Sequence, residues 1–113
     1  MTAKSLALLL ALTLAAAASS PSAATPDTGM AGSIHDLRRE GKKVCIVDHW
    51  HYGSGVGGTK KRAEADAIKS WADFTILEYG TAWGNFTKAA NRSVSCSSDP
   101  QGFSCNVEGR PCR

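Results

Sequence analysis

The sequence has 113 residues, a mass of 11.9 kDa, and 13 Lys or Arg against 10 Asp or Glu, for a formal net charge of +3. A chain of this length holds one domain, which excludes a two-domain enzyme and a membrane protein with several spans. The positive charge is too small for a protein that tracks nucleic-acid phosphates. We therefore expect no nucleic-acid partner.

The first 24 residues have the three-part pattern of a secretory signal peptide. Lys4 supplies a positive charge, residues 5–18 carry no charged side chain, and Ser22-Ala23-Ala24 places small residues where a signal peptidase cleaves. The apolar run is shorter than the roughly 20 residues that a membrane-spanning helix needs, which disfavours an uncleaved anchor. We predict cleavage after Ala24, with cleavage after Ala18 as the alternative, and no membrane span in the product.

Removing the first 24 of 113 residues leaves 89, with a side-chain charge of +2 and all four cysteines. Chains this short often need disulfides or other cross-links to be stable. An even number of cysteines in an exported chain predicts two disulfides, and the spacing of Cys45, Cys96, Cys105 and Cys112 lacks the close pairs of a four-thiolate metal site. We expect a monomer in the periplasm or outside the cell.

Residues 25–32 are small and polar, and they predict a disordered lead-in. Residues 33–36 fit either the start of a short helix or an edge strand that turns at Glu40-Gly41, and both readings stay open. The β-branched and aromatic side chains of residues 43–52 predict a strand. Residues 53–58, five of which are Gly or Ser, predict a flexible loop.

The longest periodic segment follows Thr59, a candidate helix N-cap. Apolar side chains spaced three or four residues apart predict one face of a helix of about thirty residues, widened by Trp71, Phe74 and Leu77. The members of that face are Ala65, Ile68, Ala72, Ile76, Tyr79, Trp83, Phe86 and Ala90. Glycines interrupt the pattern, so we expect one bent helix or two helices that break near Gly80. The helical spacing favours core packing of the aromatic side chains over a stacking platform for a ligand.

Residues 93–97 and 103–108 alternate in polarity around a turn-forming segment, which predicts a β-hairpin. The order strand, helix, strand, strand predicts a single α+β domain over residues 33–113. It has a three-stranded sheet in the order first, third, second, with one helix on one face. In that order the end of the third strand approaches the start of the first. This predicts the disulfides Cys45–Cys112 and Cys96–Cys105, although the sequence leaves the other two connectivities open.

His49 and His51 are two residues apart in the predicted strand and would project from the same side. Two imidazoles so placed can bind a divalent metal, with Asp48 or His35 as a further ligand; surface or partly packed histidines are the alternative. A hydrolase would use the same imidazole as a base. No Ser or Cys nucleophile is evident, because the cysteines are expected to be oxidised, so we assign no catalytic residue.

The glycine-rich segment also matches the GxGxxG pattern of a dinucleotide-binding turn. Too little chain follows it to build the several βα units that such a fold needs, so we expect no nucleotide cofactor. Backbone N–H groups that lack partners at a helix start, together with nearby cationic side chains, can bind an anion. Gly58, Lys60 and Lys61 are therefore a candidate anion site.

The segment from His49 to Arg113 contains the motifs HWHYG, SWADFT and EYG and a cysteine-containing tail, which comprises Cys96, Phe103-Ser104-Cys105 and Arg110-Pro111-Cys112. In these motifs it resembles a family of small exported alphaproteobacterial proteins with no assigned activity. It implies export and a disulfide-stapled α+β domain. It implies no activity, so no functional residue carries over.

These features predict an exported, disulfide-stabilised binding module that needs no cofactor and contacts an unknown envelope or extracellular partner. One alternative is a divalent-metal-binding protein that uses His49 and His51. The other is a small hydrolase, which the missing nucleophile disfavours.

Overall fold

The computed structural model describes residues 15–17 and 25–113. The predicted signal peptide therefore lies outside the described residues, apart from residues 15–17. In the described part of the chain, no helix is long and apolar enough to cross a membrane.

The described chain forms a small α+β domain with two sheets. Its elements are α1 Met30–Ile34, β1 Leu37–Glu40, β2 Lys43–Ile46, β3 His51–Gly57, α2 Lys60–Tyr79, β4 Ala90–Asp99 and β5 Gly102–Arg110. Strands β1 and β2 form a hairpin, and the larger sheet is antiparallel with the order β3-β5-β4. The predicted fold class is confirmed, and the larger sheet has the predicted strand order. The strand predicted over residues 43–52 has the wrong bounds, because residues 43–46 form β2 of the hairpin, a second sheet that we did not predict, and the first strand of the larger sheet is β3.

Strand β3 occupies most of the segment that we predicted to be a flexible loop, so that prediction was wrong. Its alternate residues Gly53, Gly55 and Gly57 face helix α2. A Cβ atom at Gly53 would lie 2.6 Å from the Trp71 backbone nitrogen, and one at Gly55 would lie 2.6 Å from the Ala63 carbonyl oxygen. The glycines are therefore a contact surface that lets the helix backbone lie directly on the strand.

Helix α2 begins after Thr59, whose hydroxyl accepts a hydrogen bond from the Arg62 backbone N–H, and it ends at Gly80, where φ is 107°. The predicted cap and the predicted break are confirmed, but the helix has 20 residues. Its buried stripe also differs from the predicted face, because small side chains must meet the glycines of β3. The buried residues are Ala63, Ala67, Trp71, Thr75 and Tyr79, whereas Ala65 is exposed.

Residues 25–28, the N-terminal strap, are hydrogen-bonded to the end of α2 and do not form the disordered lead-in that we predicted. The Thr28 N–H donates to the Tyr79 carbonyl, and the Thr81 N–H donates to the Thr25 carbonyl. The Thr28 hydroxyl also donates to the Glu78 carbonyl at 2.7 Å. The strap thereby satisfies carbonyl groups that a helix end leaves without partners.

The segment after the strap was predicted to be either a short helix or an edge strand that turns at Glu40-Gly41, and it contains both elements. Helix α1 comes first, and residues 37–40 then form the edge strand β1, which turns at Gly41 into β2. The domain therefore begins before residue 33, since the strap and α1 are part of it.

Both predicted disulfides are present. Cys96 and Cys105 face each other across the β4–β5 hairpin, and Cys45 joins Cys112 with a sequence separation of 67. The C-terminal tail also pairs with β2, since the Val44 N–H donates to the Arg113 carbonyl and the Arg113 N–H to the Val44 carbonyl. The longer bridge therefore fastens the small hairpin to the end of the large sheet.

We expect the double variant Cys45→Ser/Cys112→Ser to lose more stability than Cys96→Ser/Cys105→Ser. The two bridges span 67 and 9 residues. The longer loop restricts the unfolded chain more, by up to about 2 kcal/mol in the loop-entropy model. Denaturant unfolding of both variants measures the difference. A larger loss from the short-loop variant would show that local packing at the hairpin outweighs chain entropy.

Candidate functional site

The three histidines of the sequence lie together, although they come from different segments. His35 follows α1, His49 lies in the loop before β3, and His51 is the first residue of that strand. The rings of His35 and His49 stack with centroids 4.5 Å apart, and those of His49 and His51 meet edge to face at 5.2 Å. The predicted proximity of His49 and His51 is present, but they do not share a strand face. We call these three residues the histidine cluster.

Tyr79 anchors the histidine cluster to helix α2. Its ring stacks on His51 at a centroid distance of 5.0 Å, and a hydrogen bond of 2.9 Å joins its Oη to His35 Nε2. Burial, together with the nearby Glu78 carboxylate, raises the pKa of Tyr79 well above its ordinary value. The phenol therefore stays protonated and links the cluster to the C-terminal end of the helix.

His51 is the buried member of the cluster, with 1% of its surface exposed. Its Nδ1 lies 2.9 Å from Thr75 Oγ1, which itself donates a hydrogen bond of 2.7 Å to the Trp71 carbonyl. Because the Thr75 hydroxyl hydrogen is used there, its oxygen accepts from Nδ1–H, and Nε2 carries a lone pair. Nε2 lies 3.2 Å from Glu78 Oε2, yet no partner meets hydrogen-bond geometry.

The pKa of His51 is lowered to about 4, mainly by burial and to a smaller extent by the neighbouring His49 and His35, while Glu78 acts in the opposite direction. The imidazole is therefore neutral near pH 7. A neutral, buried imidazole with an unused lone pair has the chemistry to act as a base or to bind a metal.

Thr75, His51 and Glu78 form a line that resembles the nucleophile, base and orienting acid of a hydrolase. The Thr75 side chain, however, is fully buried, and its hydroxyl donates to a backbone carbonyl. A substrate cannot reach it. The arrangement gives no support to the hydrolase alternative.

An exposed apolar patch borders the histidine cluster. We define it by three side chains: Tyr52, Phe74 and Leu77 are 66%, 52% and 79% exposed. The Phe74 ring lies 4.8 Å from that of His51, and Leu77 is its neighbour one turn along the helix. We predicted core packing for the five aromatic residues of the long helical segment after Thr59. Four of them are buried, and Phe74 is the exception.

The alignment of α2 along β3 explains the position of the patch. It lies at one end of the line along which the two elements meet, which we call the seam. The Val56 N–H donates to Asp66 Oδ2 and the Ser54 N–H donates to Ser70 Oγ, so polar helix side chains cap the free edge of β3. Continuing the same spacing, by two residues along the strand and four along the helix, leads to Tyr52 and Phe74. The seam therefore changes from a capped polar edge to an exposed apolar one.

The other candidate ligands are not brought to the cluster. Asp48 is exposed, and Gly58, Lys60 and Lys61 are exposed at the start of α2, where the Thr59 hydroxyl accepts a hydrogen bond from the Arg62 N–H. In the described residues, one group of three potential metal ligands converges: Glu64, Cys96 and Cys105. Its two sulfur atoms are joined in a disulfide and are not thiolate ligands.

Sequence reasoning missed Glu78 and Thr75 as partners of the histidines. The available signal was a polar residue at position 75 in an otherwise apolar series at four-residue spacing. A threonine there needs a buried hydrogen-bond partner.

Comparison of the chain with protein-family models, curated proteins and solved structures gave no match. The class of the molecule therefore follows from its own geometry, a small α+β domain stapled by two disulfides.

We expect the metal-free protein to lose stability as the pH falls from about 6.5 towards 4. In this window the unfolded chain protonates His51, whose ordinary pKa is 6.5, while the folded chain, with a pKa of about 4, does not. Proton uptake therefore favours unfolding, by about 2 to 3 kcal/mol at the acid end of the window. Urea midpoints measured in chelating buffer from pH 7 to pH 4 test this, with His51→Gln as the comparison. Equal pH dependence of the two proteins would contradict the assignment to His51.

Proposed function

We propose that this protein is an exported binding module that recognises another protein through the exposed apolar patch. The observation that carries the proposal is the contrast between that patch and the rest of helix α2. Trp71 and Tyr79 are completely buried, whereas Phe74 and Leu77 on the same helix face solvent. Clustered exposed apolar side chains are typical of interaction sites.

The surroundings of the patch indicate the chemistry of the partner. Glu78 is partly exposed at the edge of the cluster, and Tyr52 offers a phenol beside the apolar surface. A partner segment with apolar side chains and a nearby hydrogen-bond donor would fit this combination. Aromatic residues are common among those that dominate binding energy at interfaces.

The covalent structure supports export as part of the proposal. Two disulfides persist in oxidising compartments such as the periplasm or the extracellular space. Both bridges lie outside the patch, at the hairpin and at the C-terminal tail. The bridges stabilise a rigid scaffold and leave the proposed contact surface free.

The test compares capture of envelope and extracellular proteins by the wild type, by Phe74→Ser/Leu77→Ser and by the control Val56→Ser. Val56 is 70% exposed on the same strand as Tyr52 but lies at the other end of the seam. We expect a partner that is retained by the wild type and the control and lost, at least tenfold, by the double variant. Thermal unfolding verifies that all three proteins fold. Equal retention by the double variant would show that the patch is not the contact surface.

A further inference from the structure

We infer that His51 and Glu78 form the core of a site for a divalent transition-metal ion such as Zn²⁺, with His49 as the third protein ligand. This inference depends on the donor atoms of His51 and Glu78 and not on the exposed apolar area of the patch, so its test is separate from that of the proposed partner surface. It also differs from the site predicted from the sequence, which contained no helix residue.

The separation of the two central donors suits a shared ion. His51 Nε2 and Glu78 Oε2 lie 3.2 Å apart and are not aligned for a hydrogen bond. Ligand bonds of about 2.0 to 2.2 Å at tetrahedral angles place two donor atoms roughly 3.3 to 3.5 Å apart. Nε2 is buried without another partner, and an unpaired buried polar atom is unfavourable. A bound ion would satisfy it.

The other side of the His51 ring is fixed in the manner that metal-binding histidines require. Nδ1 bonds to Thr75 Oγ1, and the Thr75 hydroxyl is held by the Trp71 carbonyl. Such outer hydrogen bonds set the tautomer and the ring orientation of a ligand histidine.

His49 is the best-placed third ligand. Its ring is 5.2 Å from that of His51, and it lies in the loop before β3. Among the described residues, neither of its ring nitrogens is hydrogen-bonded, so it can turn to another rotamer. His35 is less suited, because its Nε2 is bonded to Tyr79. Two histidines and one glutamate leave a fourth position for water or a partner's side chain.

The experiment titrates the disulfide-intact protein, purified without a polyhistidine tag, with Zn²⁺ by calorimetry and with Co²⁺ by visible absorption. We expect one ion per chain, and Co²⁺ bands of a four-coordinate site. Glu78→Gln and His49→Ala should each weaken Zn²⁺ binding at least thirtyfold. Glu64→Gln, a carboxylate change on the same helix, is the matched control and should leave the affinity within threefold of the wild type.

Circular dichroism and thermal unfolding in chelating buffer identify any variant that does not fold. His49→Ala lies in a loop outside both sheets and keeps the test valid if Glu78→Gln is unstable. Absence of Zn²⁺ binding by the wild type at 100 µM would overturn the inference, as would binding that folded Glu78→Gln and His49→Ala leave unchanged. A thirtyfold loss in His35→Ala without one in His49→Ala would overturn the assignment of the third ligand.

Discussion

Replacing Gly55 by alanine is expected to lower the free energy of unfolding by about 3 kcal/mol, at the upper end of the usual cost of overpacking, because the neighbouring atoms are rigid. The added methyl group would lie 2.6 Å from the Ala63 carbonyl oxygen and also overlap the backbone of Ala67. No side chain can move aside to make room, since both obstacles are helix backbone. The helix must therefore shift away from β3, and the hydrogen bonds that cap the strand edge would be lost with it.

Gly58→Ala is the matched control for this prediction. Gly58 lies just beyond the same strand, and no atom lies within 4 Å of the position that its Cβ would take. We expect a change within about 0.5 kcal/mol, as for most exposed substitutions. Denaturant unfolding of both variants provides the comparison. Similar losses in the two would mean that glycine flexibility, and not close helix contact, matters in this segment.

Replacing Arg110 by methionine is expected to cost about 3 kcal/mol, because it removes one partner of a mostly buried ion pair. Arg110 is 4% exposed, and its guanidinium group donates to both carboxylate oxygens of Glu40, to Asn91 Oδ1 and to the Ile46 carbonyl. These hydrogen bonds also hold the pKa of Glu40 below its ordinary value. One side chain thus connects both strands of the small hairpin with β4 and β5.

Arg113→Met is the control for the ion-pair contribution. Its guanidinium bonds to Asp27 at 2.9 Å but is 44% exposed, and exposed pairs contribute only about 0 to 1 kcal/mol. Arg110→Lys should recover part of the loss, since an ammonium keeps the charge but cannot form the two-pronged pair. Chemical unfolding of the three variants tests the ranking. A loss below 1 kcal/mol for Arg110→Met would show that the network contributes little.

The order and direction of the strands and helix were the most predictable features of this structure. A strand, a helix and a hairpin in that order allow few antiparallel arrangements, and one of them brings Cys112 to Cys45. The end of α2 was predictable as well, because glycine at position 80 adopts a φ of 107° that other residues avoid. Both features depend on local backbone chemistry and short connections.

The contact surfaces were less predictable. Glycine at alternate positions is typical of a loop when the sequence is considered alone, and only the opposing small side chains Ala63 and Ala67 make it a packing surface. The same close approach rotates the buried stripe of α2 away from the predicted face. The pairing of His51 with Thr75 and Glu78 likewise depends on how far the helix slides along β3, which periodicity does not specify.

The ion pair between Arg113 and Asp27 has a topological consequence. It places Arg113 beside the N-terminal strap, so the two ends of the described domain lie close together. A short linker could join its two ends, and new termini could be opened at the Pro100-Gln101 turn. The neighbouring bridge between Cys96 and Cys105 would still hold the two cut strands in register. Domains with adjacent ends and exposed loop tips tolerate such circular permutation.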